Sequence, residues 1–197
     1  MKDKQFYALI SRMKYITRWS LMRNSIQENI QEHSHMTAVI AHALGIIGNR
    51  IYNKAYNPEH LATVAMFHDA TEILTGDMPT PIKYQNPDIV KAYHQVEAYA
   101  ADKLLSMIPA ELRGDYAPLL DPDTHGSEEY RLVKAADKLS ALIKCVEERK
   151  AGNTEFISAE RSTRDSIVNM GVPEASYFME HFMPAFELDL DELGIGG

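Results

Sequence analysis

Three places in the sequence set ionisable side chains on or beside apolar helical stripes: His33, the run His68-Asp69 with Glu72, and Asp137. A buried charge without a partner is costly, so groups at such positions need an ion or one another. Neighbours on a helix point roughly 100° apart, which lets His68 and Asp69 lean toward one metal in the groove between their directions. Glu72 follows one turn later, about 6 Å further in rise at ~1.5 Å per residue. That is too far to chelate easily with His68, but well placed to meet a water on the same ion. The chemistry on offer is metal-assisted hydrolysis, because a bound divalent ion makes water acidic near neutral pH.

The elements that must position these groups are helices. Phe6, Leu9, Ile10 and Met13 follow the i, i+3, i+4, i+7 rule and predict a helix over 4–15. The stretch from Thr17 to Asn29 is polar and carries Arg18, Trp19 and Arg23. Asn29, with Glu32 three residues on, is an Asn variant of the capping box and starts a second helix. Its expected buried stripe is Met36, Val39, Ile40, Ala43 and Ile47, with His33 at the N-terminal end. Asn57-Pro58 starts a third helix, a cap followed by proline at its first position. The core face Leu61, Val64 and Ala65 is expected to run on to His68 and Glu72, until Gly76 and Pro79 end it. The stretch from Gly76 to Pro81 reads as a loop stiffened by two prolines. Ile89, Tyr93, Val96, Ala100 and Leu104 mark a fourth helix, and Pro109 opens a short fifth. After a polar segment from Asp121 to Ser127, a long helix over 128–150 carries the stripe Leu132, Ala135, Leu139, Leu142 and Val146, with Asp137 on its shoulder. Gly152-Asn153 breaks the chain, and two helical segments follow near 154–169 and 173–184. No alternating run predicts a strand. The expected fold class is all-α, a single domain over 1–197 whose last residues, about 190–197, form a frayed tail.

The 197 residues suffice for one hydrophobic core. A content of 45% hydrophobic and 24% charged residues is that of an ordinary globular protein. No run approaches the roughly 18 apolar residues of a membrane span. The N-terminus lacks an apolar signal region and a small-residue cleavage site. These features predict a soluble protein with no membrane partner. Cys145 is alone, so no internal disulfide forms, which fits the cytoplasm. The formal net charge of −8 lacks the electrostatic footprint of a duplex-binding protein, so no nucleic-acid polymer is expected as partner. A small phosphorylated substrate needs only a local positive patch or a metal.

The order His33, His68-Asp69, Asp137 resembles the signature of the HD superfamily. An HD dipeptide alone occurs by chance, but the full order on helices of one domain is far more specific. Around it, Arg18-Trp19, Glu32-His33-Ser34, His68-Asp69-Ala70-Thr71-Glu72, the run from Thr75 to Lys83, and Lys134-Ala135-Ala136-Asp137-Lys138 look like motifs of the bacterial YfbR-type 5′-deoxynucleotidases. The resemblance covers nearly the whole chain, to about Glu187. It implies a helical HD domain, a homodimer, and a substrate that is a deoxyribonucleoside 5′-monophosphate, split to deoxynucleoside and phosphate.

The resemblance also implies one divalent metal ion held by His33, His68, Asp69 and Asp137. Two imidazoles and two carboxylates suit Co or Mn, with Zn, Fe or Cu as alternatives. Glu72 would be catalytic, orienting or deprotonating the attacking water. Arg18 would share in catalysis by binding the phosphate with its planar fork. His33, Asp77, Thr80, Pro81, Ile82 and Lys83 would contact the nucleotide, Asp77 through the sugar 3′-hydroxyl. Trp19 would crowd the 2′ position and so favour deoxyribose over ribose.

Each residue has a plainer reading. His33 could be a satisfied core histidine, His68-Asp69 a surface pair, and Glu72 solvent-facing. Asp137 could pair with Lys134, three residues back. A sole tryptophan such as Trp19 is usually packing, and Lys83 and Arg23 could be solvated. His35, His42, His60, His94, His125 and His181 read as structural or exposed, and Met22, Met36 and Met66 as core filler. Three rivals remain: another HD hydrolase, such as a phosphodiesterase or nucleoside triphosphohydrolase; a non-catalytic nucleotide-binding or scaffold protein on the same fold; and a purely structural helical dimer. The first needs a larger site or more basic residues than the loop 77–83 offers; the second would have no use for Glu72.

Overall fold

The computed structural model describes residues 4–83, 85–120 and 128–194. In chain order the described helices are α1 (Phe6–Ile10), α2 (Ile30–Ile51), α3 (Pro58–Phe67), α4 (Glu72–Thr75), α5 (Thr80–Lys83), α6 (Pro87–Leu105), α7 (Arg113–Leu120), α8 (Glu128–Lys150), α9 (Ile157–Met170) and α10 (Pro173–His181). The fold is all-α. Extended pairing among the described residues is limited to an isolated antiparallel bridge between Thr17 and Asn29.

Local chemistry sets where the central helices begin. The Asn29 side chain accepts from the backbone N–H groups of Gln31 and Glu32 at 3.0 Å each. The Glu32 carboxylate accepts from the Asn29 N–H at 3.3 Å, which completes the capping box of α2. Asn57 caps α3 at the His60 N–H, with Pro58 in the first turn. Helix α2 then packs against both α3 and α8. Their shared core holds Ile40, Ala41, Leu44, Leu61, Val64 and Ala65, together with the whole expected α8 stripe from Leu132 to Val146. Close approach of α2 to α3 requires glycine at position 45, where a Cβ would sit 2.9 Å from Leu61 and 3.1 Å from the Pro58 backbone. Ile167 of α9 and Ala175 and Phe178 of α10 complete this cluster. A second cluster joins Phe6, Ala70, Ala101, Leu104, Ile108 and Leu120. Residues 66–69 lie between Ala65 of the first cluster and Ala70 of the second.

Several elements differ from their sequence-based expectations. The helix over 4–15 is two pieces, α1 and a 3-10 turn over Met13–Tyr15. A helix this short has little stability of its own, so tertiary contacts decide its length. The Ser11 hydroxyl donates to the Ala8 carbonyl at 2.8 Å, competing with continuation of the backbone ladder. Helix α3 ends at Phe67 rather than running through Glu72. There the His68 ring Nδ1 takes the Ala65 carbonyl at 2.6 Å, the acceptor an α-helix would offer to the Asp69 N–H. The chain turns through three-residue bonds, Ala70 N–H to Phe67 and Glu72 N–H to Asp69, before α4 begins.

The buried face of α2 is also rotated. Ala38, Ile40, Ala41, Leu44 and Ile47 are buried, Met36 and Ala43 are partly so, and Val39 is 52% exposed. Two flanking helices, not one, define that face. Met66 and Val96 are exposed, so Met66 is not core filler. Thr80–Lys83 form a helical turn where the sequence predicts a loop; Pro81 sits in its first turn, where it costs no hydrogen bond. The polar segment 121–127, with His125, and the last three residues of the tail lie outside the described residues. No helix is long and apolar enough to cross a membrane, among the residues described.

Candidate active site

Helices α2 and α8 bring His33 and Asp137 face to face, with Nε2 of His33 3.0 Å from Asp137 Oδ1. His33 is fully buried. Ser140 Oγ lies 3.1 Å from its Nδ1 and Thr37 Oγ1 3.4 Å from its Nε2, so the ring is fixed from its own helix and from α8. The turn after α3 delivers His68 and Asp69 to the same point. Asp69 Oδ2 is 3.7 Å from His33 Nε2 and 3.2 Å from His68 Nε2, and Asp137 Oδ1 is 3.9 Å from His68 Nε2. Asp137 therefore turns to the imidazoles rather than forming only a surface pair with Lys134.

The donor set fits a divalent ion. One ligand atom from each of His33, His68 and Asp69 lies within 4.8 Å of the others, close enough to share one ion at the ~2 Å bond lengths of nitrogen and oxygen ligands. Asp137 borders this set, with Oδ1 3.0 Å from His33 Nε2 and 3.9 Å from His68 Nε2. The hydrogen bond that His68 Nδ1 donates to the Ala65 carbonyl orients the ring and turns Nε2 toward the carboxylates. That buried nitrogen has no hydrogen bond of good geometry despite two carboxylates nearby, a position that a cation between them would satisfy. Burial alone would lower the His68 imidazole, but Asp69 and Asp137 outweigh it and raise it. Burial would raise the Asp69 and Asp137 carboxyls, but His68 and Arg18 for Asp69, and His33 and His68 for Asp137, hold both below the ordinary range.

Glu72, at the start of α4, is buried, and its Oε2 has no hydrogen-bond partner. Burial, then the charges of Asp69 and Asp77, push its carboxyl well above the ordinary value. It is thus not solvent-facing. Asp77 is raised as well, first by burial and then by Asp69, against the pull of Arg18.

The opposite wall is the loop 17–29. Its ends are zipped together by the Thr17–Asn29 bridge, by the Arg18 N–H to the Glu28 carbonyl at 2.9 Å, and by the Ile30 N–H to Ile16 at 3.0 Å. Arg18 Nη1 reaches Asp69 Oδ2 at 3.2 Å, and its Nε reaches Glu28 Oε2 at 3.2 Å. Trp19 packs against Phe156, with ring centroids 5.3 Å apart, and adopts φ +57°, which a bulky residue rarely does. Further along, Glu148 of α8 accepts from the Ser25 N–H at 2.8 Å and from the Ile26 N–H at 3.2 Å. Lys144 donates to both Glu148 and the Ile26 carbonyl.

Between this loop and α9 lies a cavity of about 660 Å³. Arg18, Trp19, Asp77, Thr80 and Pro81 line it together. Ile82 and Lys83 do not: Ile82 is exposed, and Lys83 donates to Glu97 at 2.9 Å, tying α5 to α6. His33 lies beneath the site rather than on the cavity wall. The α9 wall, with Ser158, Ser162 and Thr163, escapes sequence reasoning, because small polar residues on a helix leave no chemical signature. Glu28 escapes it too, being one carboxylate in a polar segment without periodicity. Arg23 is solvated, as are His35, His42, His94 and His181.

A family model described as 5′-deoxynucleotidase YfbR-like matches residues 5–186. The chain is 48% identical over 193 residues to a 5′-deoxynucleotidase of Vibrio atlanticus (strain LGP32), covering 98% of this chain and all of that relative. Its fold is similar to that of an HD-domain phosphohydrolase from Listeria innocua, with TM-score 0.81, 22% identity, and 96% and 92% of the two chains covered. It is also similar to the HD phosphohydrolase of cyanophage S-2L, solved bound to dA and one catalytic Zn2+ ion, with TM-score 0.64, 18% identity, and 88% and 93% covered. The chain belongs to the YfbR-like 5′-deoxynucleotidase family.

Proposed function

We propose that the protein is a metal-dependent 5′-deoxynucleotidase that hydrolyses deoxyribonucleoside 5′-monophosphates to deoxynucleoside and phosphate. The observation that carries this reading is the position of Arg18. It contacts Asp69 of the His/Asp cluster and also lines the cavity beside Trp19 and Asp77. A phosphate bound at Arg18 would lie between the cluster and the cavity that would take its nucleoside.

His33, His68, Asp69 and Asp137 would hold one divalent ion, Co or Mn, with Zn, Fe or Cu compatible with the same donors. When bound, such an ion supplies charge neutralisation and makes water acidic near neutral pH. Glu72 accepts the proton of the attacking water; its raised pKa and unpartnered oxygen suit a general base. Arg18 offers a planar fork to the phosphate oxygens, in a geometry that a lysine would not reproduce. Asp77 accepts from the 3′-hydroxyl, and Trp19 occupies the room a 2′-hydroxyl would need. Thr80 and Pro81 border the nucleoside directly, while Lys83 acts from behind, through its tie to Glu97.

We read the protein as a cytoplasmic homodimer. Val39 and Ile46, exposed apolar residues seven apart on one face of α2, support an interface there, and the lone buried Cys145 supports a reducing compartment. Sedimentation of the purified chain checks the first point: a monomer at micromolar concentration would contradict it.

The test of function is phosphate release by protein stripped of metal and reloaded with Co or Mn. The panel is dAMP, dTMP, AMP, a cyclic dinucleotide and dGTP. Metal-dependent turnover of dAMP and dTMP but not AMP is the expected result. Activity confined to the dinucleotide or triphosphate would replace this substrate class with another HD chemistry. Silence on all five with metal bound would make the protein a binding protein.

A further inference from the structure

Glu28 sits at the centre of the loop wall without touching the cavity. One of its oxygens, Oε2, accepts two hydrogen bonds, from Arg18 Nε at 3.2 Å and from the Trp19 indole N–H at 3.0 Å. The other, Oε1, lies 4.0 Å from His33 Nδ1. Its side chain is only 14% exposed, and its backbone carbonyl accepts the Arg18 N–H at 2.9 Å. Bonds to an ionised carboxylate are stronger than neutral ones, the more so out of water.

Each partner needs such a hold. Trp19 lies in the left-handed region, φ +57°, where a bulky L residue stays only if its surroundings impose it. Phe156 supports the indole ring, Asn24 holds the Trp19 carbonyl at 3.2 Å, and Glu28 holds the indole N–H. Arg18 commits its Nε to Glu28, which directs the terminal nitrogens toward Asp69 and the cavity.

We propose that Glu28 is a positioning residue that sets Arg18 and Trp19 in one geometry, coupling phosphate capture to the choice between deoxyribose and ribose. The proposal rests on the deoxynucleotidase reading above. A single acceptor atom shared by both groups means that neither can shift without loosening the other.

Glu28→Ala, Glu28→Gln and Glu28→Asp separate this role from a general structural one. The readouts are the dAMP-to-AMP ratio of kcat/KM, bound metal per chain, and the emission of Trp19, the sole tryptophan. Excluding one hydroxyl by shape is worth about 100-fold at most, and Glu28→Ala is expected to remove roughly tenfold or more of it. Its tryptophan emission should shift to the red and quench more readily, with metal content retained. In Glu28→Gln the side-chain amide oxygen can still accept both N–H groups, so this variant should restore most of the ratio and the emission. Should Glu28→Ala fail to fold, Glu28→Asp, one methylene too short to reach both partners, is expected to show the same loss. A wild-type ratio and wild-type emission in the folded Ala or Asp variant would overturn the proposal. A wild-type enzyme that turns over AMP as fast as dAMP would instead overturn the deoxynucleotidase reading, while the emission would still judge whether Glu28 holds the indole.

Discussion

His33 and Asp137 stand on α2 and α8, helices that share an apolar core, whereas Arg18 and Trp19 hang from the loop 17–29, held by polar contacts. The helix wall gains its precision from packing: Leu44, Leu139 and Leu142 are fully buried around it, and interiors of that density do not yield gradually. The loop wall gains its precision from a few charged groups, Glu28, Lys144 and Glu148, each gripping backbone or side-chain N–H and C=O groups. The contrast separates two tasks. In the proposed reading the helix wall supplies His33 and Asp137 to the ion site, while the pinned loop selects the nucleotide.

Breaking the chemistry should give the largest effect. Glu72→Ala is expected to lower kcat on dAMP by roughly 10²–10⁴-fold, the usual worth of a positioned general base. Metal content and dAMP affinity should persist, because Glu72 is outside the ligand set. Rapid-quench kinetics beside metal analysis would show it; a variant that loses its metal would move Glu72 into that set.

Breaking the pins of the loop comes next. Lys144→Met leaves the Glu148 carboxylate buried without its cation, and removal of one partner of a buried pair costs about 3–5 kcal/mol. Urea unfolding should register the loss, and KM for dAMP should rise as residues 23–26 loosen. An unchanged midpoint would mean that the loop is pinned elsewhere.

A smaller effect follows from acid. Burial alone would raise Glu148, but Lys144, Asn153 and the N–H groups of Ser25 and Ile26 outweigh it and bring its pKa to about 2, from an ordinary 4.5. A depressed folded-state pKa stabilises above the unfolded value, and the stabilisation is lost as pH falls from about 4.5 toward about 2. Unfolding of wild type and Glu148→Gln at pH 5 and pH 3 should differ in slope, with the wild type losing more stability. Parallel losses would assign the acid sensitivity to other carboxylates.

The two walls are not equally legible in the sequence. The gathering of the His/Asp cluster is readable because His33 ends one apolar stripe, His68 continues another and Asp137 sits on the shoulder of a third, and the capping box at Asn29 announces α2. The turn after Phe67 is not, since it depends on the His68 ring taking the Ala65 carbonyl, a choice that helical spacing cannot express. Lys144 and Glu148, four apart on α8, stand in no motif of the sequence. Both are buried, and residues 25–26 bond to them across more than a hundred positions. Glu28 has no period, cap or motif to mark it, and only the folded loop shows that Arg18 and Trp19 share it. Val39 reads as inward-facing because a single apolar stripe cannot show that α2 lies between two partners.

The division between a chemical wall and a selecting wall is tested most directly by kcat/KM of Trp19→Ala on AMP, measured beside dAMP. The account predicts that AMP turnover rises and the dAMP-to-AMP ratio falls by roughly tenfold or more, a gain of activity that misfolding cannot produce. Parallel losses on both nucleotides, with the ratio intact, would contradict it and would make Trp19 part of the packing alone.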